Sequence, residues 1–168
     1  YAQYWQDAMF DNPELESFQP DLIFIHTTSR NISEAPLPLS ASEQEVRDAL
    51  ERQFSHFSQM WERLHEVYHC PIIQNNFELP STRLMGNRDA WDCHGMVWFI
   101  QELNRKFGQY AASHSDFYLH DLHYLAASYG LDAWHDDSYW YLYKYAMTLD
   151  AVPEFAYSLT RIIRSIYG

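Results

Sequence analysis

The sequence predicts an α/β domain: a small, mostly parallel sheet flanked by helices in three layers. Three observations predict it. Short apolar runs, bounded by polar residues or proline, recur at Asp21–His26, Pro71–Phe77 and Phe117–Leu119. Long stretches with apolar residues at spacings of three and four separate them. Strands that alternate with helices in this way pair in parallel, through right-handed crossovers.

The elements follow in order. Tyr1 to Phe10 is amphipathic. The run Leu22-Ile23-Phe24-Ile25, after Pro20, is apolar throughout, as a strand covered on both faces should be. A polar stretch from Thr27 to Asn31 and a loop with Pro36 and Pro38 come next. Ser42 and Glu45 form a capping-box pattern that opens a helix. Val46, Leu50, Phe54, Phe57, Trp61, Leu64 and Tyr68 line one face of it, and Pro71 stops it. The second strand leads into a loop with Pro80 and Gly86. Met96, Ile100, Leu103, Phe107 and Tyr110 then mark a second long helix. After the third strand, Leu122 to Tyr129 reads as a short helix closed by Gly130. Ser138 to Met147 reads as a helix, aromatic on every side and therefore buried. Pro153 opens a last helix through Phe155, Leu159, Ile162, Ile163 and Ile166. Three strands make a thin sheet, since about five are usual. The chain also opens at Tyr1, inside an amphipathic stretch, so one or more strands are expected upstream.

A chain of 168 residues with 47% hydrophobic side chains builds one domain with a real core. Its net charge of −12 repels phosphate backbones and anionic lipid, which argues against nucleic acid and membrane partners. No apolar run reaches the ~20 residues of a membrane helix, and no secretory signal is visible. The two cysteines, Cys70 and Cys93, form no motif and read as isolated thiols in a reducing cytoplasm.

Ligands of open α/β sheets bind beyond the carboxyl ends of the strands. Here those ends run into His26-Thr27-Thr28-Ser29-Arg30-Asn31, Gln74-Asn75-Asn76 and His120-Asp121. Arg30 suits a carboxylate or phosphate, and Asn31 an oxyanion, unless Asn31 caps a turn and Arg30 is solvated. Asn75 and Asn76 present amides to a ligand or to loop backbone. Asp121 serves as a strand-end contact or a helix N-cap. His120-Asp121-Leu122-His123 lacks metal-ligand spacing, so neither metal nor cofactor is expected. Asp136 and Asp137 stand at a helix N-terminus, where the macrodipole favours them, and one of them could orient a catalytic base. A buried Lys144 needs an aspartate or an anion as partner. Tyr139, Trp140, Tyr141, Tyr143 and Tyr145 either pack a core or form a sugar-stacking platform, the core being favoured.

The stretch Pro71-Ile72-Ile73-Gln74-Asn75-Asn76-Phe77-Glu78-Leu79-Pro80, then Arg83-Leu84-Met85-Gly86, resembles the N-terminal region of FkbH-like proteins. So do Leu103-Asn104, the run Phe117 to Leu122 with Leu125-Ala126-Ala127 and Gly130, and Trp134 with Asp137, Tyr141 and Lys144. Those proteins belong to subfamily IIIC of the haloacid dehalogenase (HAD) superfamily. The resemblance implies an SGNH-hydrolase-like (flavodoxin-like) domain over residues 1–168, followed by a HAD phosphatase domain. The Asp-Leu-Asp-Asn-Thr-type motif of that phosphatase is absent from the chain. By the same resemblance, the SGNH nucleophile would follow a strand upstream of Tyr1. The Gly-x-Asn-Asp block falls on Thr28-Ser29-Arg30-Asn31. The Asp-x-x-His block falls on Asp137 to Trp140, with Trp140 in place of the histidine.

The family's setting is the loading of a glyceryl unit onto an acyl carrier protein in polyketide and related pathways. The resemblance therefore implies a degenerate hydrolase-fold module whose partner is the carrier protein or the adjacent phosphatase domain, with Arg30, Arg83 and Arg88 as a positive patch for the carrier. Two alternatives stand beside it. One is an active ester hydrolase or acyltransferase using Ser29, Asn31 and Asp137 or an upstream serine. The other is a small-molecule or carbohydrate module. The expected ligand contacts are Arg30, Asn75, Asn76, Asp121 and Lys144.

Overall fold

In the computed structural model, residues 4–168 are described, and Tyr1 to Gln3 lie outside them. Helices α1 (Tyr4–Met9) and α2 (Pro13–Phe18) lead into strand β1 (Ile23–Ile25). Then come α3 (Glu43–Tyr68), β2 (Ile72–Asn75), α4 (Met96–Ser113), β3 (Phe117–His120), α5 (Leu122–Tyr129), α6 (Leu131–Trp134), α7 (Asp137–Tyr143) and α8 (Val152–Tyr167). The sheet is wholly parallel, in the order β1-β2-β3. Ile23, Ile72 and Phe117 share one rung, and Ile25, Gln74 and Leu119 another.

Alternation along the strands explains the layers. Ile23, Ile25, Ile72, Phe117 and Leu119 face α1, α3 and α4. The centre of that core is aromatic: Trp61 lies 4.7 Å from Phe107 and 4.5 Å from Phe117, centroid to centroid. Residues of the other parity, Phe24, His26 and His120, meet Phe155 of α8. A smaller second core gathers Leu122, Leu125, Ala126, Trp134, Met147 and Ala151 beyond the carboxyl edge of the sheet.

The start and stop signals act as expected. Ser42 and Glu45 cap α3 reciprocally. Asp121 accepts the Tyr124 N–H at the start of α5, and Gly130, at φ 107°, ends that helix. One element departs from expectation. The predicted Ser138–Met147 helix stops at Tyr143, where Lys144 turns left-handed at φ 60°. It is a surface helix, with Tyr141 70% and Leu142 72% exposed. Its tyrosines stack on one another, Tyr139 on Tyr145 at 6.1 Å and Tyr143 on Tyr145 at 5.6 Å, in place of packing a core.

Candidate binding cleft at the carboxyl edge of the sheet

The carboxyl ends of the strands are tied together by a buried polar layer. The Asn75 amide accepts the Thr27 N–H at 2.9 Å and donates to the Thr27 carbonyl at 2.6 Å, joining β2 to the loop after β1. Gln74 accepts the Trp61 indole N–H at 3.2 Å and donates to the Thr27 hydroxyl at 2.9 Å. Asn76 donates to Asp121 and accepts the His123 N–H, both at 2.8 Å. Asn75, Asn76 and Asp121 thus fasten loops and helix ends, and none of them lines the cleft described below. Buried amides must find such partners, and here they are loop backbone groups together with the side chains of Thr27, Trp61 and Asp121.

The loop after β1 is organised by its own side chains. Thr28 Oγ1 accepts the Arg30 N–H at 3.2 Å, and Asn31 Oδ1 accepts the Thr28 N–H at 2.9 Å, closing a capping box around a 3-10 turn over Ser29–Asn31. Ser29 donates both its hydroxyl (2.9 Å) and its N–H (3.0 Å) to Glu78 Oε1. Glu78 is a site residue that the sequence reading did not single out. It is fully enclosed, and its Oε2 meets no partner among the described residues. Burial pushes its carboxyl above the usual range, against the pull of the Ser29 bonds. Its only sequence signal is an acid inside the apolar run Phe77-Glu78-Leu79. Among the described residues no histidine reaches the Ser29 hydroxyl; His135 Nε2 donates instead to the Leu79 carbonyl at 2.8 Å.

Beside this loop opens a cleft of about 890 Å³. Its polar lining is His26, Thr28, Arg30, Asn31 and Lys144. Its apolar lining comes from Met147, Leu149, Val152 and Phe155, with Trp140 and Tyr145 alongside. Elements distant in sequence build it, the end of β1 on one side and α7 to α8 on the other. Arg30 and Lys144 both lie within cation–π range of Trp140, at 4.7 and 5.4 Å from the ring centroid. Asp137 adjoins the cleft and binds Arg30 at 2.6 Å. Lys144 is exposed, where burial was expected, and it has no acidic partner among the described residues. Trp140 and Tyr139 are half-buried, Trp140 lying against the Arg30 guanidinium and Tyr139 stacking on Tyr145. Arg88 pairs with Asp92 and lies over Trp91, and no ion pair or hydrogen bond among the described residues joins it or Arg83 to Arg30.

Two further polar groups bear on chemistry. Asp92, Cys93 and His94 bring three donor atoms within 4.8 Å and could hold a metal ion. As they stand, His94 Nδ1 pairs with Asp92 at 2.8 Å and Nε2 donates to the Ala41 carbonyl at 2.9 Å. His94 and Arg88 hold the Asp92 carboxyl down at about 2. His120 is buried against Ser158, 2.9 Å from its hydroxyl, and desolvation with help from His26 lowers its imidazole to about 4.

A model of the family described as "FkbH, N-terminal domain" matches residues 1–164. The chain belongs to that family. No protein of curated function matches it. The crystal structure of the N-terminal part of the protein BF1531 from Bacteroides fragilis, containing a phosphatase domain complexed with Mg, superposes with a TM-score of 0.81 at 20% identity. At that identity the likeness shows the fold. The match covers all of this FkbH N-terminal domain and 43% of the BF1531 chain.

Proposed function

We propose that this FkbH N-terminal domain is a degenerate SGNH-fold binding module, which holds an anionic acyl- or glyceryl-bearing group for transfer to an acyl carrier protein. One observation carries the reading. Trp140, which by resemblance stands where an SGNH hydrolase keeps its histidine, instead gathers Arg30 and Lys144 along the cleft. A serine needs a base within about 3 Å to act as a nucleophile. Among the described residues Ser29 has only Glu78, whose Oε1 already receives both the Ser29 hydroxyl and the Ser29 N–H, and no histidine stands behind it. The cleft is thus equipped to bind. In this reading phosphoryl chemistry belongs to a separate phosphatase domain, such as the one BF1531 contains complexed with Mg.

The test is glyceryl loading onto the carrier protein by the full-length protein. Arg30→Ala with Lys144→Ala should slow loading at least about tenfold, the cost of charge-assisted hydrogen bonds. Ser29→Ala should leave loading near wild type, and simple esters should not turn over. Ester turnover abolished by Ser29→Ala would establish the hydrolase reading in its place.

A further inference from the structure

The turn ahead of α4 carries a cluster that shares no residue with the cleft. Asp92, Cys93 and His94 are consecutive. The Gly95 N–H closes the turn on the Asp92 carbonyl at 2.9 Å, and the three side chains bring their donor atoms together. Those atoms are of three kinds: a carboxylate oxygen, a thiol sulfur and an imidazole nitrogen. Cys93 Sγ lies 3.5 Å from His94 Nδ1. A tetrahedral ion with bonds of about 2.3 Å to sulfur and about 2.05 Å to nitrogen sets that edge at about 3.5 Å. Nδ1 lies 2.8 Å from Asp92 Oδ1, a hydrogen-bond length. An ion in place of the proton opens that edge by roughly 0.5 Å. Groups outside the cluster already orient two of the three side chains, as outer partners do in metal sites. The Ala41 carbonyl can only accept, so it fixes a proton on His94 Nε2 at 2.9 Å and leaves Nδ1 facing the cluster. Arg88 takes Asp92 Oδ2 at 2.6 Å and leaves Oδ1 facing it too. The Asp92 and His94 side chains are only 13% and 16% exposed, so both are held in place before any ion arrives.

We propose that Asp92, Cys93 and His94 form a site for a zinc-class divalent ion, with Oδ1, Sγ and Nδ1 as its ligands. The ion takes the place of the proton that Nδ1 shares with Asp92, and the Cys93 thiol loses its proton as the sulfur–metal bond forms. Both protons pass to solvent. A thiolate and an imidazole select zinc-class ions over magnesium and calcium, which favour oxygen donors. A chain of net charge −12 draws cations to its surface. Three protein ligands leave a fourth tetrahedral position open to water or an external ligand. Through His94 and the Ala41 carbonyl, the ion also ties the turn before α4 to the loop before α3. The site stands apart from the cleft, so its failure leaves the binding reading untouched.

Cobalt(II) is the probe, because a cobalt–thiolate bond absorbs in the near ultraviolet and four-coordinate cobalt absorbs strongly in the visible. Titrating the chain, kept reduced, with cobalt should raise both bands and saturate at one ion per chain. Zinc should then erase them, and a large excess of magnesium should not. Cys93→Ser should remove the near-ultraviolet band, whereas Cys70→Ser, at the other free thiol, should keep it. Asp92→Asn and His94→Gln should each weaken cobalt binding at least about tenfold, the loss that even an outer partner of a ligand brings. The melting temperature of each variant checks its folding. Cys93→Ser changes a single atom, so it carries the test even if losing the Ala41 bond unfolds His94→Gln. No near-ultraviolet band in the wild type, a band that survives Cys93→Ser, displacement by magnesium, or binding left unchanged by Asp92→Asn would each overturn the site.

Discussion

Glu78 and His120 are buried titratable groups with opposite consequences. The Glu78 carboxyl lies above its usual value, so the folded state holds that proton more tightly than the unfolded chain does. Its contribution is intact below the unfolded value of 4.5 and is lost as pH rises through the folded one. Glu78→Gln keeps an acceptor for the Ser29 N–H and removes the buried charge. The variant should melt higher than wild type at pH 8, with a smaller difference at pH 4; equal melting at pH 8 would refute this. His120 runs the other way. Its folded value of about 4, against 6.5 in the unfolded chain, leaves stability intact above 6.5 and erodes it as pH falls toward 4. The total is on the order of 3 kcal/mol. Denaturant unfolding between pH 7 and 4 should show a shallower loss in His120→Gln than in wild type, and parallel curves would contradict it. The sequence exposed polar strand ends, including Asn75, Asn76 and Asp121, and a cation at Arg30. It did not reveal which of them fasten the sheet, because the deciding partners lie far away: Thr27 is 48 residues from Asn75, and Ser29 is 49 from Glu78.

Among the elements, the long helices were the most legible and α7 the least. The helix α3 announces itself through Ser42, Glu45 and a continuous apolar stripe, each a local signal. In α7 an aromatic-rich composition suggests a core, yet the helix is only Asp137–Tyr143 and stacks its tyrosines at the surface. Periodicity has nothing to report when every side of a helix is aromatic. The start of α4 depends on a contact the sequence does not reveal. Asp89, in the preceding turn, accepts the Val97 N–H at 2.8 Å and the Met85 N–H at 3.1 Å, and Gly95 sits directly against its backbone. A Cβ at Gly95 would lie 2.1 Å from the Asp89 carbonyl oxygen. Gly95→Ala should therefore cost about 1–3 kcal/mol, the usual range for overpacking. Equilibrium unfolding measures it, and a neutral result would mean that the turn can shift away.

At the scale of the whole molecule, strand alternation decides both the fold and the place of the cleft. One parity of residues builds the aromatic core under α3 and α4, and the other meets α8 through Phe155. The parallel pairing of the three strands was legible because apolar runs alternate with periodic stretches; their order was not. The cleft was half legible: its β1 side follows from the rule about strand ends. Its other side, Trp140 to Phe155, depends on how α7 and α8 return over the sheet, which no local pattern encodes. The central claim is that this domain binds through Arg30 and Lys144 beside Trp140. Its most direct test is backbone amide chemical-shift mapping by NMR as butyl phosphate is added. The account predicts shifts that saturate and cluster at Thr28 to Asn31 and Trp140 to Phe155. Saturating shifts that map elsewhere on the fold, or none at all, would contradict it.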